Sequence, residues 1–127
     1  MQADTPLAVG WTAWVTDSAL CAGMQSKTRP FCRGRSSKSG VPWFPRTGKE
    51  PVEGTRWAVY SPAGQLPCLK KEGWFVASRY LIRDALYRPI TSEECGTLDA
   101  FFVDELHDKL EAFFWDPDRF RSRGKSW

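Results

Sequence analysis

Apolar and polar residues alternate most clearly in "WTAWVT", residues 11–16, where β-branched and aromatic side chains recur with the two-residue period of a strand. Trp11, Ala13 and Val15 share one side, and Thr12, Trp14 and Thr16 the other. Apolar groups on both sides predict a strand covered on each face. Asp17-Ser18 favours a turn, and "ALCAGM" (19–24) is expected to form a second short strand.

From Gln25 to Gly54 neither period is sustained. Prolines, glycines and basic residues punctuate this stretch, which reads as one long basic loop. Loops of that length in compact domains are usually functional or disordered. "VPWFP" (41–45) interrupts it with two aromatics held between prolines. Alternation resumes at Arg56–Tyr60 and leads into Ser61-Pro62-Ala63-Gly64, which suits a type I turn and predicts a hairpin. Pro67 cannot donate to a ladder, so the returning strand belongs at an edge. Gly73 and "WFVA" suggest a third strand.

The period then lengthens. Ser78 suits the cap of a helix running to about Tyr87, with Ile82 and Leu86 buried and Arg79 and Arg83 outward. Thr91-Ser92-Glu93-Glu94 has the capping-box form, and Gly96 allows a later start near Thr97. Leu98, Phe102, Leu106, Leu110 and Phe113 recur at helical spacing, with Asp104, Asp108 and Glu111 opposite, until Asp116-Pro117 ends the pattern. The expected fold is α+β: a small antiparallel sheet with two C-terminal helices packed on one face and a long basic loop. Residues 1–118 would form a single domain containing the 25–54 loop, and 119–127 a basic tail.

Composition adds limits. With 42% hydrophobic and 26% charged residues, the chain is ordinary for a globular protein, which argues against wholesale disorder. No run approaches the roughly 18 apolar residues of a membrane span, and the start lacks a signal peptide's basic and apolar regions. A cytoplasmic location follows, with Cys21, Cys32, Cys68 and Cys95 expected as reduced thiols.

Charge is segregated along the chain. Residues 1–92 carry 13 Lys/Arg against 6 Asp/Glu, residues 93–118 carry 1 against 9, and residues 119–127 carry 4 against none. Such asymmetry points to a charged partner.

Little else points to chemistry. "GRSSKSG" has Ser37 where the second glycine of a phosphate-binding P-loop belongs, and "RTGKE" has Trp43 at the first glycine position and Glu50 in place of the hydroxyl. The cysteine spacings contain no metal knuckle, so neither metal nor cofactor is expected. His107, the only imidazole, sits between the apolar stripe and the acidic face, where neighbouring carboxylates should raise its pKa. No residue is assigned a catalytic role, because nothing orients a base towards a nucleophile.

Binding is better supported. Arg29, Arg33, Arg35, Lys38, Arg46 and Lys49 surround Trp43 and Phe44, a mixture that neutralises phosphates and stacks bases. The expected function is non-enzymatic contact with nucleic acid or another polyanion. The alternative is a small inhibitor or adaptor, a type common among phage and mobile-element accessory proteins. It would dock on a basic protein groove through Asp104, Asp108 and Glu111.

Overall fold

The computed structural model describes residues 5–17 and 28–118. They form seven strands: β1 (Trp11–Val15), β2 (Arg29–Arg33), β3 (Val41–Thr47), β4 (Ala58–Ser61), β5 (Gly73–Val76), β6 (Leu81–Arg83) and β7 (Thr91–Thr97). A 3₁₀ turn (Ala77–Arg79) separates β5 from β6, and one helix, α1 (Ala100–Phe114), follows β7. The sheet is antiparallel in the order β4-β5-β3-β2-β1-β7, and β6 joins it by pairing with β3. One edge of β3 faces β2. The other meets β6 at Val41–Trp43 and β5 at Arg46–Thr47, so β5 and β6 act as one interrupted strand.

Both sheet faces are covered, as the apolar groups on both sides of β1 imply. On one face Cys32, Phe44 and Phe75 pack with Val103, Leu106 and Leu110 of α1, and Trp14 closes the edge of this cluster. On the other, Val15, Phe31, Val41 and Trp43 are sealed by Leu7, Trp11, Leu81 and Tyr87. Trp43 meets the rings of Trp11 and Tyr87 edge-on at 5.9 Å each. The helix starts where the Asp99 carboxylate accepts the Phe102 N–H at 2.8 Å, a side-chain N-cap.

Four expectations change. Residues 25–54 do not form one loop, because β2 and β3 run through the "basic loop". Prolines normally disqualify a central strand, and these are accommodated by arginines. Gly34 donates its N–H to the Pro42 carbonyl, so the Gly34 carbonyl faces a residue with no N–H to return. The Arg33 guanidinium donates to that carbonyl instead, at 2.9 Å. The β2–β3 register carried one residue further puts Pro30 opposite Arg46. There the Arg29 guanidinium donates to the Arg46 carbonyl at 3.1 Å. Pro45 needs no such substitute, because its nitrogen faces the gap between β6 and β5.

Second, α1 is the single helix of the described residues, where two were expected. Residues 78–87 instead hold the 3₁₀ turn, β6 and a turn in which Asp84 accepts the Leu86 N–H. The capping-box sequence belongs to β7, where Gly96 adopts φ +125°, outside helical geometry, and Cys95 is fixed to Cys68. Third, β4 and β5 pair antiparallel, but across the connection 62–72 rather than a tight hairpin. Fourth, Cys68 and Cys95 form a disulfide (Cα–Cα 5.0 Å) where reduced thiols were expected. Cys32 stays free and buried, its thiol pushed up to about 12 by that burial. The expected strand at 19–24, Cys21 and the basic tail lie outside the described residues.

Candidate functional site: a basic groove

One cross-strand row supplies the site. Glu93 of β7 pairs with Trp14 of β1, Trp14 with Pro30 of β2, and Arg46 of β3 with Phe75 of β5. With Pro30 opposite Arg46, a carboxylate, an indole, a proline ring and a guanidinium follow one another across four strands. Side chains in register on adjacent strands share a face, which makes this row one continuous surface.

The connection 62–72 folds against that surface and is held at three points. Cys68 is bonded to Cys95, the Trp14 indole donates to the Cys68 carbonyl at 3.1 Å, and Arg46 donates to the Lys71 carbonyl at 2.6 Å. Between the row and the connection lies an open groove of about 760 Å³. Its walls carry Arg29, Arg46, Lys49, Lys70 and Lys71 against Glu72 and Glu93. That volume falls in the usual range for ligand sites.

Four of these cations, Arg46, Lys49, Lys70 and Lys71, are poorly neutralised by the described residues. Arg46 is buried, with its guanidinium donating to the Ser61 hydroxyl at 3.0 Å, the Ser61 carbonyl at 3.2 Å and the Lys71 carbonyl. It also lies over the Phe75 ring. Burial pulls its pKa below the usual guanidinium value, with the Tyr60 phenol opposing, yet arginine remains charged at neutral pH. Among the described residues no carboxylate pairs with Arg46, Lys49, Lys70 or Lys71. Glu72 instead accepts the Tyr60 hydroxyl at 2.9 Å. A buried cation surrounded by carbonyl dipoles, beneath three exposed ammonium groups, focuses positive potential into the groove.

The sequence-derived residues separate into three groups. Arg29, Arg46 and Lys49 line the groove. Arg33 is buried and turned to Gly34 and Ser36, Arg35 pairs with Asp104, and Lys38 sits exposed in the turn before β3. Trp43 and Phe44 are 1% and 0% exposed, so neither can stack on a base without unfolding the core. Lys70, Lys71, Trp14 and Glu93 went unassigned. The adjacent lysines were visible in "CLKKEG", but only the fold brings them to β3.

The acidic helix is likewise divided. Asp104 is occupied by Arg35, while Asp108 and Glu111 are exposed. His107 is half-buried: Nε2 accepts the Arg35 N–H at 2.9 Å, and the ring meets Phe44 edge-on. Its pKa is lowered, contrary to expectation, because burial and then the Arg35 charge outweigh Asp104 and Asp108.

No protein-family model matches this sequence, and a comparison with curated proteins finds no match. No helix among the described residues is long and apolar enough to cross a membrane.

Proposed function

We propose that the protein is a non-enzymatic binder of nucleic acid or a related polyanion, and that the groove is its contact surface. The observation that carries this is the convergence on one concave site of Arg46, Lys49, Lys70 and Lys71, none paired with a carboxylate among the described residues. Phosphates would meet the exposed lysines first, with Arg46 supplying the fixed charge below. A duplex contacts only the rim of such a groove, whereas a flexible single strand can enter it. The disulfide favours work in a compartment that keeps thiols oxidised rather than the cytoplasm.

The test is fluorescence-anisotropy titration with short single-stranded DNA and RNA over a salt series. Up to four phosphate contacts give a log–log slope of roughly −3. Lys70→Ala/Lys71→Ala should weaken binding and reduce that slope by about 1.4. Salt-insensitive binding, or none at low salt, would overturn the proposal.

A second surface favours the adaptor alternative. Phe101, Asp108 and Trp115 fall seven residues apart, on the helix face opposite the buried Leu106 and Leu110. Phe101 is 86% and Trp115 80% exposed, and Glu105 and Glu111 flank the row. Large exposed aromatics among carboxylates suit a cationic protein surface. Asp108→Lys with Trp115→Ala would abolish such docking in a pull-down while leaving the circular dichroism spectrum unchanged. Undiminished capture would exclude this face.

A further inference from the structure

The groove contains one group that phosphate binding does not explain. Glu93 of β7 lines it, and among the described residues its exposed side chain makes no hydrogen bond or ion pair. A free carboxylate in an anion site repels a ligand that offers only phosphates. It becomes favourable when the ligand also presents hydrogen-bond donors.

Its neighbour suggests which donors. Glu93 is the cross-strand partner of Trp14, whose indole is held in place by the Cys68 carbonyl. A fixed aromatic plate beside an unoccupied carboxylate can stack a nucleobase while accepting from its edge. The bases differ in what that edge offers. Adenine and cytosine place an acceptor next to the exocyclic amine, and uracil and thymine have one N–H between two carbonyls. Guanine alone presents two adjacent donors, N1–H and the 2-amino group, which match the two oxygens of a carboxylate.

Resting on the groove reading above, we propose that the site is selective for guanine in single-stranded nucleic acid. Glu93 accepts from the Watson–Crick edge, Trp14 carries the stacked ring, and Lys49, Lys70 and Lys71 hold the flanking phosphates. The cation side of the row lies three strands from Glu93, about 14 Å at ordinary strand spacing, which separates base from phosphate contacts.

The experiment uses the full chain and fluorescein-labelled thymidine decamers carrying one central guanosine, adenosine, cytidine or inosine. The guanosine decamer should bind tenfold or more tightly than the adenosine and cytidine decamers. Inosine, lacking the 2-amino group, should lose most of that advantage. Glu93→Gln should bring the four decamers within about twofold of one another, with salt-dependent binding retained because Lys49, Lys70 and Lys71 remain. Equal, salt-dependent binding of all four by the wild-type chain would overturn the guanine proposal and leave the polyanion proposal standing. A preference that survives in Glu93→Gln would also overturn it. Absence of binding to every decamer would overturn both.

Discussion

Removing the Cys68–Cys95 bond tests both the fold and the groove wall. The bond joins the 62–72 connection to β7 and closes a loop with a sequence separation of 27 residues. In the chain-entropy account a closure of that length stabilises by about 3.5 kcal/mol at 25 °C, by restricting the unfolded chain. The average entropy of unfolding gives roughly 0.27 kcal/mol/K for a chain of this size. The Cys68→Ala/Cys95→Ala variant should therefore melt about 13 °C lower in calorimetry. Alanine suits both positions because they are buried, and serine would bury an additional hydroxyl. The denaturant m-value should rise, since the released unfolded chain exposes more surface. Alkylation gives a direct check. Unfolded without reductant, the wild-type chain should expose two of its four cysteines, and all four only after reduction. Four alkylated residues before reduction, or a melting shift below about 3 °C at constant m-value, would refute the account.

Gly34→Ala should destabilise by about 1–3 kcal/mol in urea unfolding. Its added Cβ would fall 2.9 Å from both Phe44 Cε2 and Pro42 Cγ, and 3.0 Å from His107 Nε2. Trp43→Ala should cost about 3–5 kcal/mol, measured the same way, because it empties the centre of the face opposite α1. His107 makes stability fall with acidification. Its folded pKa is lowered by burial and Arg35, so the unfolded state binds the proton more readily below about pH 6.5. His107→Gln should flatten the fall of the stability–pH curve below about pH 6.5. Arg35→Ala should change stability by no more than about 1 kcal/mol, because its pair with Asp104 is half-exposed.

The parts of the fold legible in the sequence were those with one unbroken period. The 3.6-residue stripe through Leu106, Leu110 and Phe113 gave α1, and the alternation of residues 11–16 gave β1 with both faces covered. The sheet centre was hidden because Pro30, Pro42 and Pro45 are breakers in local terms, and their rescue depends on side chains and strand gaps elsewhere. Thr91–Thr97 misled for the opposite reason. Its capping chemistry is locally sound, but the disulfide and a +125° glycine impose a strand. The site was half legible. Basic composition found Arg46 and Lys49, whereas Lys70, Lys71, Trp14 and Glu93 are joined to them only by cross-strand register.

Arg29 and Arg33 illustrate a side chain standing in for a main-chain donor. Each guanidinium supplies a hydrogen that a proline removed from the ladder. Arginine and proline at these places are consequently one coupled unit rather than two residues. Restoring an N–H at position 30 would crowd a second donor onto the Arg46 carbonyl, while losing Arg29 alone would leave that carbonyl unsatisfied in the interior. In homologous chains the two positions are expected to change together or not at all, and lysine, without the planar fork, makes a poor replacement.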